Sequence, residues 1–343
     1  MGSTTSAVAV ALLLGATATA CSTESGDATS TVSSDLTESV AEPTATISPS
    51  TPSTTSISTS AVDTTDATVG DDAPAARLDP EFAAGLDAEG FANQLTASHA
   101  TMVDALAGPT DRAQAGVDHQ LVLRELAGRS ELDEAVIAAV DPAARPAVER
   151  IVRARQFLQQ RSSERPPQPP PDELPAWAVV EPEPVDTLRT YYDEAEQLTG
   201  IAWYWLAAIH LQETRMGRIE GVSTAGAVGP MQFLPTTWEV CCTGDPTVTR
   251  DAIIGAATYL AQSGGPDDMA AAVYEYNPND GYVAVVTAYA DNMRDEPELY
   301  SGYHGFQVFV GTSAGTVRLP VGYSQSAPVD AAAHLAEHPV DAA

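Results

Sequence analysis

The chain has 343 residues, of which 47 are acidic and 16 basic, for a formal charge of -31, and every basic residue is Arg. So acidic a balance, with no basic stripe, offers nothing to a nucleic acid backbone. Three cysteines, two of them adjacent, are too few and wrongly spaced for a zinc site, so neither a metal nor any other cofactor is expected.

Residues 7–20 form an apolar run that ends in small residues just before Cys21, the form of a secretory signal over residues 1–20. The run is too short to span a bilayer. It predicts export to the cell envelope or the medium. A Cys in that position is the expected lipidation site, so Cys21 would be the only tie to a membrane. Two features depart from a lipoprotein signal: no base precedes the run, and Ala18 stands where Leu is usual. From 21 to 78 the chain is mostly Ser, Thr, Ala, Pro and acid, too polar to bury a core. Roughly fifty residues of coil predict a disordered stalk with a reach of about 40 Å.

Between 79 and 165 apolar residues recur three and four apart, as in Leu123 and Leu126 or Val148, Ile151 and Val152. Breaks at Gly108-Pro109, Gly128 and Asp141-Pro142 divide the stretch into a small helical domain of three or four helices. Its Arg150, Arg153, Arg155, Arg161 and Arg165 read as a solvated helix face, with contact to an anionic wall polymer as the alternative. Prolines then crowd residues 166–185, predicting a stiff linker. The next block opens with Leu188, Tyr191, Tyr192, Ala195 and Leu198 at helical spacing and Gly200 as a left-handed cap. A helix from Ile201 to about Met216 follows, capped by Gly217, with two more near Arg250–Ser263 and Asp280–Met293. Within 301–326, Phe306-Gln307-Val308-Phe309-Val310 and Thr316-Val317-Arg318-Leu319 flank a Gly-rich turn and predict a β-hairpin. Residues 327–343 carry no such pattern and are expected to be disordered. The fold class is mainly α.

Trp205, Ile209 and Glu213 fall at i, i+4 and i+8 of the helix from Ile201, so a carboxylate ends an apolar stripe. A carboxyl drawn out of water holds its proton more tightly, which a general acid near neutral pH requires. A salt bridge to Arg215 or Arg218 is the structural alternative. The loop beyond is spaced by Gly217, Gly221, Gly226 and Gly229, small enough for close approach to a bulky ligand. It leads to Gln232, which offers a donor and an acceptor, and to Met231 and Phe233, an apolar floor for a sugar ring. Cys241 and Cys242 pair as a vicinal disulfide, bond another chain or remain free thiols.

Three motifs stand in order: Glu213-Thr214-Arg215-Met216-Gly217 at a helix end, then Ser223 with Gly226-Ala227-Val228-Gly229-Pro230-Met231-Gln232, then Tyr276-Asn277 with Tyr282. In them the sequence resembles the catalytic domain of lytic transglycosylases of the lysozyme-like superfamily, over residues 186–300. Thr214 stands where the family often has Ser, Pro230 where it has Leu, and the paired cysteines are no part of the motif. The resemblance implies a lysozyme-like helical domain, here carrying a C-terminal hairpin and preceded by the small helical domain and the stalk. It implies Glu213 as the catalytic acid and base, Ser223 and Gln232 in contact with the glycan, and Tyr276, Asn277 and Tyr282 along the groove. The expected partner is the peptidoglycan glycan strand, met by a monomer.

The implied reaction cleaves the bond between N-acetylmuramic acid and N-acetylglucosamine and leaves a 1,6-anhydromuramyl end. One carboxylate suffices where the substrate's acetamido group replaces the second. Glu275, beside Tyr276, is the candidate for a second acid; if it faced Glu213, a lysozyme-type hydrolase would follow. A non-catalytic wall-binding protein is the third reading.

Overall fold

The computed structural model describes residues 85–164 and 169–343. The expected signal, Cys21 and the stalk lie outside the described residues, as does Arg165. The described chain is mainly helical with a few short strands, in keeping with a lysozyme-like helical fold.

Four helices come first: α1 (Ala88–Val103), α2 (Pro109–Ala127), α3 (Asp133–Ala139) and α4 (Arg145–Ser163). Local chemistry starts them. Asp87 accepts the Gly90 N–H at 2.9 Å as an N-cap, and Pro109 and Pro146 sit in first turns, where a missing N–H costs nothing. α4 buries Val148, Ile151, Val152 and Leu158. Of its arginines, Arg153 and Arg161 are exposed and Arg150 partly so, as expected of a solvated face, but Arg155 is not. Arg155 is buried in an ion pair with Asp133 of α3, and Arg150, Arg153 and Arg161 pair with Asp295, Glu134 and Asp280. Each guanidinium lies beside an acid from another element, which helical spacing alone does not reveal.

After these come α5 (Val185–Thr199), α6 (Trp203–Thr214), α7 (Pro235–Cys241), α8 (Thr249–Gln262), α9 (Met269–Tyr276), α10 (Asp280–Asp295) and α11 (Leu299–His304). α5 ends at Gly200 with φ 78°. α6 is the axis of the fold: from Leu206 through Thr214 every residue is buried. Burial is therefore not confined to the Trp205, Ile209, Glu213 stripe, because packing surrounds the helix on all sides. α10 lies against both α4 and α6. One hydrophobic core runs from Phe91 and Val148 to Leu206, Val286 and Tyr303, so α1–α4 share it with the helices beyond the proline-rich stretch. At the crossing of α2 and α11, a Cβ on Gly116 would lie 1.8 Å from the Gly302 carbonyl oxygen. Only two glycines let the backbones meet so closely.

The strands are β1 (Glu173–Leu174), β2 (Ala178–Val179), β3 (Ile219–Glu220), β4 (Val308–Thr312), β5 (Gly315–Leu319) and β6 (Val329–Asp330), followed by α12 (Ala331–Glu337). β4 and β5 form an antiparallel hairpin with Phe309 opposite Arg318, while β1 pairs with β6 and β2 with β3. They enclose a second, smaller core of Leu174, Val179, Ile219, Val308, Val317, Leu319, Tyr323 and Ala331. Two expectations change here. From residue 169 the proline-rich segment is bound into structure rather than left as a spacer, and the tail expected to be disordered supplies β6 and α12. Leu174, Val179 and Ala331 show no local period, yet they complete a core assembled from distant segments. No helix among the described residues is long and apolar enough to cross a membrane.

Candidate active site

Glu213 is the next-to-last residue of α6. The chain then turns through three successive left-handed residues, Arg215, Met216 and Gly217, with φ of 56°, 59° and 90°. The helix thus ends before the predicted cap at Gly217, in a conformation costly for Arg and Met. Hydrogen bonds hold it there: Arg215 Nη1 donates to the Leu211 carbonyl at 2.6 Å, Met216 N–H to that of His210 at 3.1 Å, and Gly217 N–H to Thr214 Oγ1 at 3.1 Å. Thr214 Oγ1 in turn donates to the Pro230 carbonyl at 2.6 Å and ties the helix end to the next loop.

Opposite, Asn279 caps α10 by accepting the Gly281 and Tyr282 N–H groups at 2.8 and 3.3 Å. The cap sets the first turn, and from it the Tyr282 hydroxyl donates to Glu213 Oε1 at 2.5 Å. Oε2 has no hydrogen-bond partner among the described residues. Glu213 is only 1 % exposed, and burial pushes its pKa up to about 8 against the opposing pull of the Tyr282 hydrogen bond. The salt-bridge alternative does not occur, since Arg215 turns to Leu211 and Arg218 to the His304 carbonyl and Glu181. Glu213 is therefore mainly a carboxylic acid at neutral pH. Because Oε1 accepts from Tyr282, the acid proton belongs on Oε2. Burial first, and then the neighbouring Glu213, raise the Tyr282 pKa well above its ordinary value, so the hydroxyl stays a donor.

Val228 and Phe233 exchange two backbone hydrogen bonds of 2.9 Å across the turn that carries Gln232. Gln232 is held at φ 51° with Nε2 donating to the Gly229 carbonyl at 2.9 Å. The Met231 side chain is fully buried, and its carbonyl accepts the Tyr276 hydroxyl at 2.5 Å. Met231 and Tyr276, expected against the glycan, are buried in the free protein as Glu213 and Tyr282 are, and their hydrogen bond braces the turn; burying a side chain of that size is favourable by about 1.5–3 kcal/mol. Phe233 is likewise interior, edge-on to Trp238 and Tyr276 at 5.0 and 5.7 Å. Ser223 Oγ accepts the Ala225 and Ala227 N–H groups at 3.2 and 3.0 Å and shapes its loop. Asn277 is buried just past α9. Hydrogen bonds join Glu213 to Tyr282 and Met231 to Tyr276, and none among the described residues joins Ser223, Gln232 or Asn277 to Glu213.

Thr214, noted in the sequence only as a departure from the family's Ser, and Asn279, not singled out there, hold the site together. Asn279 was legible as an Asn ahead of a helix; the reach of Thr214 to Pro230 was not. Glu275 is exposed, and among the described residues the side-chain partner of Glu213 is Tyr282 rather than Glu275. Among the described residues no three His, Cys, Asp or Glu side chains converge to hold a metal ion.

Cys241 and Cys242, at the end of α7, are bonded to each other, with Cys242 Sγ 3.5 Å from the Gly255 carbonyl. A loop closed between neighbours restricts the unfolded chain little, on the order of 1 kcal/mol. The Cys241→Ser, Cys242→Ser double variant is expected to fold and to melt within a few degrees of the parent, as circular dichroism during heating will show.

Comparison with known proteins gives one significant similarity to report. The chain is 29% identical over 128 residues to the membrane-bound lytic murein transglycosylase F of Thiobacillus denitrificans. The match covers 35% of this chain and 27% of that protein, so the chain aligns with little more than a quarter of its length. No family model matches, and no solved structure matches.

Proposed function

We propose that this chain is an exported peptidoglycan lytic transglycosylase, with residues 186–300 as its catalytic region and Glu213 as acid and base. One observation carries the reading: a buried carboxyl, pushed up to about 8, whose single hydrogen bond leaves Oε2 to carry the proton. The similarity to a lytic murein transglycosylase supports the substrate class. Glu213 donates the Oε2 proton to the glycosidic oxygen, and the bond electrons leave with that oxygen. The muramyl acetamido group stabilises the electron-poor C1. Glu213, now a carboxylate, takes the proton of the C6 hydroxyl as O6 bonds C1, closing the 1,6-anhydro ring and restoring the acid without water. With both carboxyl oxygens covered in the free protein, the glycan must open a path to Oε2.

The test is product analysis on purified wall. Anhydromuramyl ends support the reading, reducing ends would replace it with a hydrolase, and an intact wall would leave only a binder. The role of Tyr282 gives a further expected result. Its hydrogen bond holds the Glu213 pKa down, so in Tyr282→Phe the alkaline limb of the rate profile should move to higher pH. Turnover should fall by up to about tenfold through the lost hydrogen bond. A rate–pH series on the two proteins checks both.

A further inference from the structure

Trp177 lies in the proline-rich segment, beside β2. Its backbone is held on both sides, the N–H donating to the Pro175 carbonyl at 3.0 Å and the carbonyl accepting the Gln325 N–H at 2.9 Å. β2 pairs with β3, the strand between Glu213 and the Ser223 loop. The indole packs on Gly221, where a Cβ would come within 2.4 Å of its Cδ1; any side chain at 221 would displace the ring. The ring is half-buried, and its Nε1–H has no hydrogen-bond partner among the described residues. The next residues after Gly221 are Val222, 60 % exposed, and Ser223.

A partly exposed indole with an unused donor, its backbone held by hydrogen bonds on both sides, suits a sugar ring. The face meets the apolar C–H side of the pyranose, and the N–H meets a hydroxyl or acetamido oxygen. We propose that Trp177, seated on Gly221, forms a distal subsite of the glycan groove and stacks on an N-acetylated sugar away from the bond cut at Glu213. This subsite rests on the glycan reading above. It gives the proline-rich segment a recognition role as well as a structural one. Trp177 also covers part of the smaller core. A leucine would keep that cover and lose the stacking, which separates the two roles.

The experiment measures binding of β-1,4-linked N-acetylglucosamine oligomers by calorimetry in the Glu213→Gln background, where turnover is blocked. Adding Trp177→Leu is expected to weaken the hexamer at least about tenfold, the factor that about 1.4 kcal/mol makes, and to leave the trimer unchanged. Trp177→Phe is expected to restore most of the hexamer affinity. Equal hexamer binding with and without Trp177 overturns the subsite. So does a loss shared by trimer and hexamer, or one accompanied by a collapse in melting temperature, since either makes Trp177 a structural residue. The glycan reading fails on different evidence: Trp177-intact protein that binds neither oligomer and releases no anhydro ends from wall removes the reading and the subsite together.

Discussion

Glu213→Gln is expected to lower glycan cleavage by at least roughly 10² to 10⁴, the contribution of a positioned general acid and base. Gln keeps the shape and an oxygen to accept the Tyr282 hydroxyl, but it has no proton to transfer to a leaving group. Wall binding and folding should survive. Glu275→Gln is expected to retain most activity, because that side chain is exposed on α9 and the Glu213 carboxyl is hydrogen-bonded to Tyr282 instead. Assayed on one wall preparation, a large loss at Glu275 with little at Glu213 would remove the assignment. Equal large losses with reducing ends would move the chain to the hydrolase reading.

The same substitution should change how stability depends on pH. A carboxyl near 4.5 in the unfolded chain and about 8 in the fold makes the folded state the stronger proton binder between those values. Its contribution is thus fully present below pH 4.5 and is lost as pH rises through 8, on the order of 5 kcal/mol across the window. Buried His119 and His210, both lowered to about 3 by burial, act the opposite way, with stability lost as pH falls below 6.5. They are common to both proteins and cancel in the comparison. Denaturant midpoints for parent and Glu213→Gln should therefore diverge with rising pH, the variant losing less. Parallel profiles would mean that Glu213 is ionised throughout.

Gly116→Ala is expected to destabilise the fold by about 3 kcal/mol or more, at the upper end for overpacking. Helix propensity alone would favour Ala by about 1 kcal/mol. The contact decides the sign, since the new methyl would lie 1.8 Å from the Gly302 carbonyl oxygen, a backbone atom that cannot swing away. α2 and α11 must part, and the core shared by α1–α4 and the later helices opens with them. Gly311→Ala, with no atom within 4 Å of the added carbon, is the control and should be close to neutral. The melting temperature should fall by several degrees in the first and hardly in the second. A neutral Gly116→Ala would show that α2 does not dock on α11.

Much of the helical layout was legible because its causes are local. Apolar spacing marks α4 and α10, Gly200 takes a left-handed cap that other residues avoid, and alternation marks β4 and β5. The left-handed run was read only at its glycine, because Arg215 and Met216 are held there by carbonyls from the preceding turn against their own preference. The tail was missed because Ala331 has no apolar period; it is buried in a core shared with Leu174, far away along the chain. Arg155 read as solvated because Asp133, its partner, sits on another helix.

The same division runs through the candidate site. That a carboxylate stands at the end of the helix from Ile201, ahead of a Gly-spaced loop and the later Tyr and Asn residues, follows from the order of residues alone. That Met231 and Tyr276 are buried in the free protein was decided by packing, since both side chains suit a ligand or an interior equally and only the neighbours differ. Protonation of Glu213 was decided in the same way. Its raised pKa comes from burial on every side of α6, and the position of its proton comes from a hydroxyl 69 residues further along. Neither exists until the chain has folded.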